Sequence, residues 1–129
     1  MLRQRLKDFP ELALPKAETT VIDERKFTEY IFGGMRTDGI VKGKQFNTIL
    51  GYNINNYEIL KDEVLEALLH YPSKYNKTIE QGMRYDLVVI IKGVNGNIAP
   101  VKVGVCVKPN GNSVNTMLIS MEELRKWLK

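Results

Sequence analysis

Val101, Val103, Val105 and Val107 alternate with Lys102, Gly104, Cys106 and Lys108 in one unbroken stretch. A period of two puts all four valines on one face of a strand and the polar or small residues on the other, so this stretch reads as half-buried β-structure. Such a strand needs partners along its edges and an apolar layer over the valines. The partners are adjacent in sequence. Upstream, residues 85–92 are rich in Val, Leu and Ile, and Asn95-Gly96 supplies hairpin chemistry between the two runs. Downstream, Pro109-Asn110-Gly111 turns the chain into a third apolar run over residues 114–119. The pattern predicts an antiparallel meander with one face covered and one face open.

The covering layer must come from the first half of the chain, where the period is helical. Tyr57, Leu60, Val64, Leu68 and Tyr71 form one apolar stripe, Leu65 and Leu69 widen it, and Pro72 closes it. An earlier helix is predicted to begin at Asp23, whose carboxylate can cap free N–H groups, with Ile22 and Phe27 at staple spacing. Phe27, Tyr30 and Ile31 make its apolar face, and Gly33-Gly34 ends it. Residues 33–43, with Gly33, Gly34, Gly39 and Gly43, predict a mobile polar loop. A short helix with Phe46, Ile49 and Leu50 on one face and Gly51 at its end should follow. Phe9-Pro10 and Leu14-Pro15 interrupt helix formation, so residues 1–20 read as an N-terminal arm and residues 21–129 as a single domain. Ser120 with Glu123 fits a capping box for a last helix carrying Leu124, Trp127 and Leu128. The expected fold is α+β: N-terminal helices packed on a three- to four-stranded antiparallel sheet, with a short C-terminal helix.

Composition narrows the chemistry. The chain has 129 residues, close to the usual size of one domain. One cysteine excludes an internal disulfide and any cysteine-based zinc site, and one histidine excludes two-histidine metal motifs. No apolar run approaches the ~18 residues of a membrane span. The net charge of +4 is unevenly placed. Residues 83–129 hold seven basic and three acidic side chains, whereas residues 45–82 hold three basic and five acidic. An anionic partner would therefore lie on the strand-rich half.

Several residues are candidates for a site, each with a plainer alternative. Gly39 to Gln45 lacks the spacing and the terminal Ser/Thr of a phosphate loop. Lys42 and Lys44 nevertheless flank a glycine at an expected helix start, where free N–H groups favour an anion; the alternative is a solvated loop. His70 lies with Glu63 and Glu66 on the polar side of the long helix and reads as a surface residue near its C-terminus. Lys102 and Lys108 share the side of the central strand away from the valines, with Gly104 between them, either as phosphate contacts or as solubility devices. Thr116, Leu118 and Ser120 share a face of the third strand, and Ser120 doubles as a helix cap. Cys106 has no imidazole near it in sequence and reads as structural.

An ordered series of residues adds to this reading: Leu14-Pro15-x-Ala17, Ile22-Asp23-x-Arg25-Lys26-x-x-x-Tyr30, Lys42 four residues before Phe46, and Leu50-Gly51-Tyr52. Asn56-Tyr57, Gly82-x-x-Tyr85, Asn95-Gly96 and the hydroxyl of Ser120 continue it. The series, spanning about residues 14–120, resembles a bacterial family of domains of unknown function found at the C termini of polymorphic toxins and in phage proteins. That family is similar in layout to the barnase–EndoU–colicin–RelE nucleases. The resemblance implies a toxin-type, metal-independent ribonuclease that cleaves by 2′-OH attack on the adjacent phosphate. This chemistry needs a base, cationic stabilisation and an acid, and in the RelE-like branch Lys, Arg and Tyr serve. Lys42 matches the family's lysine before the aromatic, and Ser120 its strand-end hydroxyl. With Lys44 and Thr116 they make up the expected catalytic set, while Arg84, Lys102 and Lys108 are expected to neutralise RNA phosphates.

No cofactor or metal is expected. The expected partners are RNA, with tRNA as one candidate, and a cognate immunity or antitoxin protein, without a membrane. The site of action would be cytoplasmic, after delivery within a larger secreted or phage protein. One departure is that the chain continues from Ser120 into residues 121–129, where family members often end in an aromatic-proline pair. The alternative function is a non-catalytic interaction module of a phage or mobile-element protein that keeps the fold. A nucleotide-binding regulator is a third class, without a phosphate pocket to support it.

Overall fold

The computed structural model describes residues 10–120. Four antiparallel strands, β1 (Lys74–Ile79), β2 (Gly82–Lys92), β3 (Ile98–Val107) and β4 (Ser113–Ser120), form one sheet in sequence order. The valine alternation appears as expected: Val101, Val103 and Val105 are fully buried, while Lys102 is half-buried on the other face. Asn95-Gly96 makes the β2–β3 hairpin, with Gly96 at φ 89°, a conformation favouring glycine.

β1 was not legible as a strand. Its sequence, KYNKTI, has no apolar alternation because it is an edge strand with five of its six residues exposed. It pairs with β2 across a bulge at Asn76, between the Tyr75–Tyr85 and Lys77–Arg84 pairs.

The helical layer covers the valine face. It contains a π-helix at Phe27–Ile31, α1 (Thr37–Leu50) and α2 (Tyr57–Ala67). Ile22 and Phe27 are buried, and the Asp23 carboxylate accepts the Arg25 backbone N–H at 2.9 Å. The helix expected there takes the wider π winding, with the Phe32 N–H reaching the Phe27 carbonyl at 2.8 Å. Gly51, at φ 79°, ends α1 and donates to the Asn47 carbonyl.

The loop expected over residues 33–43 is corrected: α1 starts at Thr37, and Gly39 and Gly43 lie inside it, buried. The two glycines are one helical turn apart and face the π-helix. A Cβ on Gly39 would run into the Tyr30 carbonyl and come within 2.7 Å of Tyr30 Cδ1. One on Gly43 would run into the Ile31 carbonyl. Close packing therefore overrides a helix propensity about 1 kcal/mol per glycine below that of alanine. Lys42 and Lys44 consequently sit in mid-helix, away from the free N–H groups of a helix start.

The core joins Phe27, Phe46, Tyr52, Leu60 and Val64 from the helical half to Leu87, Val89, Ile91, Val103 and Leu118 from the sheet. The Tyr52 hydroxyl, at the end of α1, donates to the Lys92 carbonyl at the end of β2, 2.6 Å away. Leu14 is buried in the same core, Ala13 bridges Pro72, and Val21 bridges Val114 beside β4. The Ser120–Glu123 capping box and the last helix lie outside the described residues.

Candidate functional site

Because α1 approaches the π-helix through Gly39 and Gly43, its Lys42 side chain lies along the Tyr30 ring. Lys42 Nζ is 5.1 Å from the ring centroid and donates to the Tyr30 hydroxyl at 3.0 Å. That hydroxyl in turn donates to Asp38 Oδ2 at 2.8 Å. The Arg36 guanidinium stands 5.8 Å from the same ring centroid and pairs with Asp38 at 3.3 Å. Two cations thus stand over one phenol, supplied by the residue preceding α1 and by the middle of α1. Lys26, four residues before Tyr30, lies near enough to Lys42 for their like charges to act on each other.

The electrostatics are lopsided. Burial, reinforced by the positive charge of Lys42 and opposed by Asp23, pushes Lys26 down to about 8. The hydrogen bond from Tyr30 holds the Asp38 carboxyl below its ordinary value, against a smaller effect of burial and with help from Arg36. Among the described residues, no ion pair neutralises Lys26 or Lys42. Two half-buried amines without an ion-pair partner favour a nearby anion, and an amine lowered to about 8 can act as a base around that pH and above.

The sheet face turned away from the helical layer carries a second set. Cross-strand register puts Arg84 beside Cys106, Asp86 beside Gly104, and Val88 beside Lys102. Thr116 is exposed, stands at the β4 bulge and reaches over Gly104. A cleft of about 970 Å³ opens here, its walls including Lys74, Asn76, Asp86 and Lys102.

The predicted residues therefore divide between two faces. Lys42 belongs to the helical layer. Lys44 is exposed about 200° further round α1, beside a smaller cleft of about 310 Å³. Ser120 pairs with Val101 and so points to the helix-facing side, where it is 2% exposed. Arg84, Lys102 and Thr116 occupy the open face, and Lys108 is exposed at the β3–β4 turn. Lys42, Lys102 and Ser120 do not converge on one face. Cys106 is buried and unpaired. His70 is exposed and contacts Glu66 at 2.9 Å, as the helical spacing predicts.

Reading the sequence for sites missed Lys26, Tyr30, Arg36 and Asp38. The available signal was the Lys26-x-x-x-Tyr30 spacing, which puts a cation and a phenol on one helical face. It also missed Asp86 and Asn76, because β1 was not recognised.

An α+β domain with a helical layer on one sheet face, and a cationic phenol cluster in that layer, defines the class. The chain belongs to the family described as domain of unknown function DUF6883, whose model matches residues 13–121. In three dimensions it is similar to a chain of the contact-dependent growth inhibition toxin–immunity protein complex from Klebsiella pneumoniae 342. The TM-score is 0.60 at 16% identity, over 78% of this chain and 98% of that one, a likeness of fold. No curated protein matches the sequence. Among the described residues, no helix is long and apolar enough to cross a membrane.

Proposed function

We propose that this chain is a toxin-type ribonuclease domain that cleaves RNA without a metal, by 2′-OH attack. The observation carrying this reading is a pair of half-buried lysines without ion pairs among the described residues, Lys26 and Lys42, whose charges act on each other and of which Lys42 is held at the Tyr30 hydroxyl. A phosphodiester between them supplies the missing negative charge. Lys26, neutral in part near pH 7, takes the 2′-OH proton as the O2′–P bond forms. Lys42 and Arg36 stabilise the charge growing on the phosphorane oxygens. As the P–O5′ bond breaks, the Lys42 ammonium gives its proton to the leaving oxygen. The products are a 2′,3′-cyclic phosphate and a 5′-hydroxyl, with one proton gained by Lys26 and one lost by Lys42. Tyr30 positions Lys42, and Asp38 orients the Tyr30 hydroxyl.

In this reading Lys44 contacts a neighbouring phosphate. Arg84, Lys102 and Lys108 hold the strand as it passes round to the open face, where Thr116 contributes a hydroxyl. Buried Ser120 supports the site from within the domain. The similarity of fold to a chain of a toxin–immunity complex supports a cognate immunity protein as partner and delivery as part of a larger protein.

Incubation of the chain with total tRNA and rRNA in EDTA tests the proposal. Fragments ending in cyclic phosphate are expected, and Lys26→Met and Lys42→Met should abolish them. RNA that stays intact after prolonged exposure to the wild-type protein would sink the reading.

A second reading has its own support in the open sheet face, where Val88, Ile90 and Ile98 are 37%, 40% and 68% exposed. This surface suits a non-catalytic interaction module that retains the fold. Harmless overproduction in cells without an immunity partner would favour it over the nuclease.

A further inference from the structure

Asp86 stands at the middle of the open face, in the wall of the 970 Å³ cleft, in a setting the cleavage chemistry leaves unused. Its Oδ2 accepts one hydrogen bond, from the Asn76 amide at 2.9 Å. Asn76 reaches it because the β1 bulge leaves that residue unpaired in the ladder. On the other side the cross-strand neighbour is Gly104, which has no side chain. Thr116 Oγ1 lies 2.9 Å and Met117 Cβ 3.2 Å from the point a Cβ there would occupy, so β4 packs closely over Gly104, and Asp86 Oδ1 stands 3.6 Å from the same point. Lys74 is the β1 partner of Asp86 and Lys102 lies beside Gly104 on β3, yet no ion pair to Asp86 forms among the described residues. The carboxylate is thus half-buried, held in orientation by one donor, and left with acceptor capacity facing a cleft.

We infer that this cleft binds a guanine base, whose two adjacent N–H donors pair with the Asp86 carboxylate. The chemistry discriminates among bases. The N1–H and N2–H groups of guanine meet two carboxylate oxygens in a bidentate pair, and each oxygen has lone pairs enough to keep the Asn76 contact as well. Adenine and cytosine each offer a donor beside a ring-nitrogen acceptor, and uracil sets one donor between two carbonyls. Each would aim a lone pair at the carboxylate. Leu12, Pro72 and Val88 in the cleft wall give a flat ring apolar contact, and Lys74 and Lys102 provide cations for its phosphate. The volume is in the range of small-ligand sites, roughly 300–1,000 Å³. The inference is independent of the chemistry at Lys26 and Lys42, which belong to the helical layer on the other side of the sheet.

Calorimetric titration of the wild-type chain with 5′-GMP and 5′-AMP tests it, without any readout of cleavage. GMP should bind at least tenfold more tightly than AMP, with inosine 5′-monophosphate, which lacks the N2 amine, in between. Asp86→Asn keeps the shape and should weaken GMP at least tenfold while leaving AMP unchanged. Amide NMR shifts in the wild-type protein give a check that needs no variant: GMP should move Asp86, Lys102 and Gly104. Equal affinity for GMP and AMP, no GMP binding at millimolar concentration, or shifts confined to the helical layer would each overturn the inference. Competition by the trinucleotide UpGpU for the GMP site would assign the base to an RNA strand. Failure to compete, with GMP still bound, would assign it to a free nucleotide, and both results keep the guanine site. Loss of GMP binding with RNA cleavage intact removes only this inference, whereas intact RNA with GMP bound removes only the nuclease.

Discussion

Lys26 carries a pH signature that separates it from an ordinary surface lysine. Its amine is pushed from 10.5 to about 8, first by burial and then by Lys42, so the folded state bears a cost whenever the group is charged. Below about pH 8 both folded and unfolded chains hold the proton and that cost is constant. Between about 8 and 10.5 the unfolded chain binds more protons than the folded one, so stability rises with pH, and above 10.5 the gain is complete. Urea unfolding should show a rising midpoint across that window. Lys26→Met should flatten the rise and unfold at higher urea than wild type at pH 7. The same group sets an expected cleavage profile, a rate that climbs with pH and levels off above about 8. A profile flat from pH 6 to 10 would remove Lys26 as the base. For Tyr30, replacement by Phe deletes the bridge between Lys42 and Asp38 and leaves the ring in place. Loss of a charge-assisted hydrogen bond of about 1.5–3 kcal/mol predicts a roughly 10- to 150-fold fall in cleavage rate, with a circular dichroism spectrum unchanged.

At the scale of elements, the contact between α1 and the π-helix decides whether the cluster exists. Gly43→Ala would drive a methyl into the Ile31 carbonyl, and Gly39→Ala one into Tyr30. Either should cost about 1–3 kcal/mol of stability despite the better helix propensity of alanine, and thermal melts would show it as a lowered midpoint. If either variant melts higher than wild type, the packing account of these glycines is wrong. Tyr52 makes the corresponding link between the end of α1 and the end of β2. Tyr52→Phe keeps the ring but strips the Lys92 carbonyl of its 2.6 Å partner and should cost roughly 1–3 kcal/mol, measurable by urea denaturation. Elements with a buried face were readable from sequence: the valine strand, its hairpin and the stripe from Tyr57 all appear. α1 was half-readable. Phe46, Leu50 and Gly51 marked its end, while glycines chosen for contact with another element hid its beginning. β1 gave no periodic signal because it buries so little.

Across the whole molecule, burial separates what was legible from what was not. Alternation and helical stripes record which side of an element meets the core, so the α+β class, the antiparallel order and the helix-covered face followed from the residues alone. Pairings across the fold leave no such local record. Lys26, Tyr30 and Lys42 were each visible as members of a family-like series, yet nothing in the spacing from Tyr30 to Lys42 places an amine on a phenol. That requires two glycines to let α1 approach the π-helix. Asp86 meets Asn76 and Gly104 only through the register of three strands and a bulge. Ser120 and Lys102 were both candidates for one site, but strand alternation sends them to opposite faces. Sequence determined the layers because hydrophobic burial is periodic along each element. Tertiary structure alone decided the sites, because convergence of polar groups depends on how distant elements pack.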